Sequence, residues 1–438
     1  MPVVNFYNFL YMKQNEISVF CRKTITFGFY SLAFFSPISI SLSQASLFII
    51  LLSWIALMIT ERRFILAKTP LNYPFIAYLC AVFIGAVFGI DFIYSLKSMS
   101  KLWIALAFFA MLTFIEDIKM IRRFVYIILL VTSIVSIYGA LQHIFPGLDI
   151  VRPEGRKVVQ WTAEGGVASS GFFNHHMTYG GFLLLIFSLG FSLSLSKIKG
   201  QEAGLATLFY VLSTVLIFFG LLSSMTRNAW LGAAFAAIFI VILKVKRKII
   251  AFSLIGSIFL FVIAYCLLPA AYSLNSPLLN RFKSIFDISK NVERLYIWKS
   301  AADMIMENPI TGVGMNNYTA AIKSYRDKYG YDFSAGSDAH AHNNILTQAA
   351  EHGVLGLAAF LWIWIIFFRE GIRMHRDLKF KLNTQHSALS TPIVLGGLGA
   401  IAGFHLAGMF EANFGDAEVA AMVWFIMGLV FLMKKDNI

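Results

Sequence analysis

Long uninterrupted apolar runs restrict this chain to very few architectures. A bilayer core of about 30 Å requires about 20 consecutive apolar residues in helical form, because each residue rises 1.5 Å. Hydrocarbon also forbids unpaired backbone polar groups, so a helix is the natural spanning unit. Runs of that kind predict twelve spans, at roughly 24–41, 43–60, 73–90, 100–115, 122–144, 178–196, 204–222, 228–243, 248–268, 344–368, 392–410 and 416–433. The expected fold class is an all-α polytopic membrane protein. Composition agrees: 58% of the 438 residues are hydrophobic and 13% are charged, far from a water-soluble globule.

Twelve spans put both termini on one side of the membrane. With that side cytoplasmic, the inner segments hold 22 of the 36 basic residues but 8 of the 23 acids, as the positive-inside rule requires. The net charge of +13 then reflects topology and makes no case for nucleic-acid binding. Cys21, Cys80 and Cys266 lie far apart, with no metal-ligand or disulfide spacing. The N-terminus lacks a short apolar core followed by a small-residue cleavage site, so an uncleaved cytoplasmic tail is expected. The spans are almost free of Asp, Glu, Lys and Arg, which argues against a proton-coupled transporter or a channel. Three regions follow: 1–268, holding nine spans and an outer loop at 145–177; an outer loop or lid at 269–343; and the last three spans at 344–438.

Polar chemistry concentrates in the outer segments. The 145–177 loop carries Arg152, Arg156 and Lys157, then runs through Gly171 to His175, His176 and Met177. It reads either as an anion-attracting backbone or as an ordinary interfacial loop. Arg227 opens the eighth span, where a cation opposes the helix dipole at a cost of about 0.3 to 1 kcal/mol. Something should compensate: a phosphate or diphosphate is one candidate, and an arginine that simply reaches out to lipid headgroups is the other reading. Within the lid, residues 291–307 form an amphipathic pattern with Leu295, Trp298, Ala302 and Ile305 on one stripe. Arg294 sits in its first turn, again an unfavourable place for a cation.

Residues 338–356 then gather Asp338, His340, His342, Glu351 and His352 before an apolar run. If helical, His342, Leu346, Ala349, Gly353 and Gly356 share one face, either a packing seam or the edge of a functional site. An extended backbone would instead align Asp338, His340 and His342 as metal ligands. His405, Glu411 and Asp416 mark the outer half of the last hairpin and are secondary candidates, read as structural before catalytic. A basic patch of arginines with a histidine suits group transfer from a lipid diphosphate: guanidinium groups neutralise the leaving group and imidazole takes the acceptor's proton.

His342-Asn343, nine residues, then Gly353-x-x-Gly356 resembles the signature of the O-antigen ligase family, within the wider group of O-antigen ligases, O-antigen polymerases and protein O-oligosaccharyltransferases. Arg227 before Trp230-Leu231-Gly232 resembles one of the family's arginines. Arg294 upstream of Pro309, Gly312 and Gly314 resembles a second. Gly171 to Gly181 is similar to a glycine- and histidine-bearing stretch of some ligases, with His176 where proline is common. The resemblance implies a GT-C-like integral-membrane glycosyltransferase in the bacterial inner membrane, inverting, independent of metal and without a cofactor. It would move O-antigen from undecaprenyl diphosphate to the lipid A-core acceptor at the periplasmic face, with membrane lipids around it. His342 would be the base and Arg227 and Arg294 the diphosphate ligands. His340, Asp338, His175, His176, Arg152 and Arg156 complete the set expected to touch substrate. Polymerase and protein oligosaccharyltransferase activities use the same donor and remain alternatives, as, outside the group, does a polysaccharide or lipid transporter.

Overall fold

The computed structural model describes residues 2–149, 158–196, 203–244, 277–285, 292–330, 340–380 and 387–434. The protein is an all-α polytopic membrane protein. Its first half comprises α1 (Pro2–Phe35), α2 (Ile40–Glu61), α3 (Asn72–Phe88), α4 (Phe92–Met99), α5 (Leu106–Phe114), α6 (Ile118–Ile144) and α7 (His176–Ser194). After these come α8 (Ala203–Ser223), α9 (Arg227–Lys244), α10 (Pro277–Lys283), α11 (Val292–Glu307), α12 (Tyr318–Tyr329), α13 (Asn344–Phe380), α14 (Ser387–Ala407) and α15 (Ala417–Leu432). A two-residue hairpin, β1 (Gln160–Trp161) with β2 (Val167–Ala168), pairs Gln160 with Ala168 and Trp161 with Val167.

Among the described residues, eight helices are long and apolar enough to cross a bilayer, Phe92–Phe114 counting as one, while α3 and α15 are shorter apolar helices. The expected span at 248–268 lies outside the described residues. The fourth span begins at Phe92, not at residue 100. Asp91 caps it by accepting from the Tyr94 N–H at 2.9 Å, and Ser95, Lys97, Ser98 and Lys101 disguise its first turns in a count of apolar residues. A 3-10 turn, Ser100–Ala105, sits inside this span between α4 and α5.

α7 is buried almost all round, as a helix apolar on every side must be. It packs against α8, α9 and α14, while α15 closes over α5 and α7. One end of the bundle is tied by Arg22–Glu61 at 2.9 Å and by Glu370 bridging Arg369 and Lys434 at 3.1 and 2.9 Å.

At the opposite end α11 and α12 build a small separate core from Ile297, Met304, Tyr318 and Ile322, and Ala341 and Ala350 of the main chain are drawn into it. This core meets α13 where that helix breaks. A continuous helix through Gly353 is expected from spacing alone, but Gly353 takes φ 60 and ψ −165, a conformation essentially reserved for glycine. The Val354 N–H, which would bond Ala350 in a regular helix, donates instead to the Pro309 carbonyl at 2.8 Å. The freed carbonyls of Ala350 and Glu351 accept from Val313 and Gly314, each at 2.9 Å. The 309–314 turn thus takes up these three backbone groups, as buried backbone requires. It also overturns the single-face reading of His342, Leu346, Ala349, Gly353 and Gly356.

Candidate active site

His342 lies two residues before α13 in a left-handed conformation, φ 46, not in a helix. Three local features hold it. The Trp298 indole N–H donates to the Ala341 carbonyl at 2.9 Å, tying the segment to α11. The Asn343 side-chain oxygen accepts from the N–H groups of Ile345 and Leu346 at 2.9 and 3.0 Å, capping α13. The His340 Nδ1 accepts from the His342 N–H at 3.3 Å.

Asn343 and Asn344 also clamp the loop between α14 and α15. The Asn343 amide donates to the Met409 carbonyl at 3.0 Å, the Asn344 N–H to the Gly408 carbonyl at 2.6 Å and the Asn344 amide to Asn413 at 2.8 Å. The clamp delivers Glu411. Its two carboxylate oxygens lie 3.1 and 3.2 Å from His342 Nδ1, His340 Nε2 is 3.7 Å from it, and Arg294 is 3.9 Å away. Burial pushes the Glu411 carboxyl up, but the His342 hydrogen bond and charge, with His340 and Arg294, hold it at about 2. Glu411 is therefore an anion at neutral pH. As an acceptor it favours a proton on His342 Nδ1, the ring nitrogen it contacts. Burial also lowers the affinity of His340 for a proton, against the opposing charge of Glu411.

Beside this cluster, a cavity of about 380 Å³ is lined by Arg227, Arg281, Arg294, His176, Trp298 and Phe410 among others. Arg227, the first residue of α9, donates to the Ser284 carbonyl at 2.8 Å and to the Ser284 hydroxyl at 3.1 Å. That supplies part of the compensation its dipole position demands. Arg281, on α10, donates to the Met225 carbonyl and to Glu164, each at 3.0 Å. Burial works against the charged form of Glu164, but Arg281 keeps its carboxyl below the usual range. Burial lowers the Arg294 pKa, with Glu411 opposing. Three guanidinium groups around one cavity make a receptor for a multiply charged anion.

The structure thus brings Arg227, Arg294, His340, His342 and His176 to one end of the bundle. His176 lies buried at the cavity wall, 3.0 Å from the Ser224 carbonyl, while the His175 ring caps α7 by accepting from the Met177 N–H at 3.2 Å. Arg152, Arg156 and Asp338 lie outside the described residues. Arg281 is the residue the sequence does not single out; Glu411 stands there only as a secondary candidate in the last hairpin, 69 residues from its partner. The ligating atoms of His340, His342 and Glu411 lie within 4.8 Å of one another, close enough to hold a divalent ion.

Residues 212–361 match a family model described as O-antigen ligase. A Rickettsia conorii protein provisionally named a polysaccharide ligase is 24% identical over 230 residues, 51% of this chain. The chain spans about half the length of that relative, 51%. The family match begins within α8 and runs through Arg227, α11 and His342 to the first turns beyond the Gly353 break, so it takes in the three arginines and His342 but not Glu411 or His176. Over residues 212–361 the chain is thus similar to the O-antigen ligase family.

Proposed function

We propose that the chain is an O-antigen ligase, transferring a glycan from undecaprenyl diphosphate to a hydroxyl of the lipid A-core acceptor at the periplasmic face of the inner membrane. The observation that carries this reading is the Glu411–His342 contact at 3.1 Å, set beside a cavity lined by three arginines. His342 Nε2 takes the proton of the acceptor hydroxyl as its oxygen attacks the anomeric carbon. The bond from that carbon to the diphosphate oxygen breaks, and the electron pair leaves on the diphosphate. One displacement of this kind inverts the anomeric centre. Arg227, Arg281 and Arg294 neutralise the charge that grows on the leaving group, the contribution expected to be largest in a preorganised site. Glu411 stabilises the imidazolium that forms.

His340 and His176 are proposed to orient substrate, with Asp338, His175, Arg152 and Arg156 as further contacts. The lysine- and arginine-rich end of the bundle, opposite the site, is assigned to the cytoplasm. No metal is required, because Arg294 beside Glu411 supplies the positive charge a metal would bring. A polymerase or a protein oligosaccharyltransferase would use the same donor machinery and differ in acceptor. The deciding experiment offers purified protein a lipid-linked donor with three acceptors separately: lipid A-core, a second lipid-linked glycan and a serine-containing peptide. Transfer to lipid A-core alone is expected. Transfer to either of the others in its place reassigns the acceptor class, and transfer to none refutes the reaction.

A further inference from the structure

Glu411 stands on a partition between two cavities. Its neighbour Phe410 closes the arginine-lined cavity. On the other side, Ala412, Phe414 and Gly415 face a second cavity of about 320 Å³ whose wall includes His340. Arg294 therefore reaches Glu411 from the first cavity and His340 reaches it from the second, at 3.9 and 3.7 Å.

We propose that the second cavity seats a glycolipid acceptor, with its hydroxyl-bearing sugar beside His340 and the start of its hydrocarbon tail deeper in the bundle. The assignment rests on the transfer reaction proposed above and adds where the acceptor sits. Two observations support it.

The lining is of two kinds. It combines His340, Asn316, Lys101, Gln348 and Trp103 with Phe360 and Ile363 of the second segment of α13. Amides with an aromatic face suit sugar hydroxyls and sugar C–H faces, and the apolar side chains suit a chain in hydrocarbon. A peptide threaded there would leave backbone amides unpaired.

The entire 3-10 turn Ser100–Ala105 also lines this cavity. Short 3-10 stretches inside longer helices often mark functional hinges, and this one interrupts a span at the cavity wall.

The test uses the full chain in nanodiscs and reads binding without turnover. A fluorescent lipid A-core glycolipid probes the second cavity, and undecaprenyl diphosphate probes the first. Thr347→Phe and Ala417→Trp fill the second cavity, and Lys101→Ala changes its exposed mouth with little risk to packing. Glycolipid affinity is expected to fall about tenfold in the filled variants, equivalent to about 1.4 kcal/mol, and severalfold in Lys101→Ala, while diphosphate binding holds. Unchanged glycolipid affinity in all three variants overturns the proposal. So does equal loss of both ligands, or displacement of the glycolipid by phosphatidylethanolamine as readily as by its own unlabelled form. A chain that binds glycolipid selectively but transfers nothing refutes the reaction and leaves the cavity assignment standing.

Discussion

Glu411 and His342 are 69 residues apart in sequence and 3.1 Å apart in space. The link is built by backbone and amide bonds around Asn343 and Asn344, which cap α13 and grip the 408–414 loop together. One dipeptide thereby positions both members of a carboxylate–imidazole pair. The pair stands where a cavity lined by arginines begins, so each group acquires its role from the others.

The arginines are the first place to look for a measurable effect. Arg227→Ala and Arg294→Ala should each weaken undecaprenyl diphosphate binding by roughly 10- to 100-fold, since a hydrogen bond to a charged group contributes about 1.5–3 kcal/mol. Lysine at either position should restore little, because it lacks the planar donor fork. Direct binding in nanodiscs reports this. Unchanged affinity in both alanine variants would leave Arg227 and Arg294 as side chains that merely reach the headgroups.

Acid should loosen the site in a defined window. The Glu411 carboxyl is held at about 2 in the folded protein against an ordinary 4.5. A depressed folded value stabilises fully above the ordinary one, and the contribution is lost as pH falls through the window toward 2. Thermal unfolding followed from pH 6 to pH 3 should therefore show a steeper decline in wild type than in Glu411→Gln. Parallel curves would mean that the carboxylate gains nothing from its partners.

Gly353 sets the geometry of the helix break. A Cβ there would meet the Ile310 carbonyl carbon and oxygen at 2.3 Å, at a φ of +60. Gly353→Ala should lower thermal stability by a strain of order 1–3 kcal/mol plus the clash, and should reduce transfer. Gly147→Ala, with nothing within 4 Å of its new Cβ, serves as the silent comparison. Equal behaviour of the two variants would show that the 309–314 turn does not depend on the break.

The spans were readable in the sequence because length and apolarity follow directly from bilayer thickness. Arg227 and Arg294 stand out there too, since a cation in the first turn of a helix demands an explanation, and both line one cavity. The break at Gly353 was not readable, because a helical face and a kinked one share the same spacing until the 309–314 turn is seen to take over the hydrogen bonds. Glu411 was hidden for another reason. An acid in a short loop between spans has no local pattern, and only the Asn343–Asn344 clamp brings it to His342. The early turns of the fourth span were missed because Ser95, Lys97 and Lys101 lower its apolarity while Asp91 caps it.

The three ligating atoms of His340, His342 and Glu411, within 4.8 Å of one another, call for a direct check on metal. Transfer should survive EDTA, since Arg294 already places a cation 3.9 Å from Glu411. Activity lost on chelation and restored by a divalent ion would make the cluster a metal centre and displace the acid–base account.

The most direct test of that account compares wild type with His342→Ala in a reconstituted assay that follows donor binding and glycan transfer in the same preparation. General-base catalysis contributes about 10²- to 10⁴-fold, so transfer by the variant should fall by at least about 10²-fold while undecaprenyl diphosphate still binds. Normal transfer by a folded His342→Ala protein would contradict the assignment of His342 as the base.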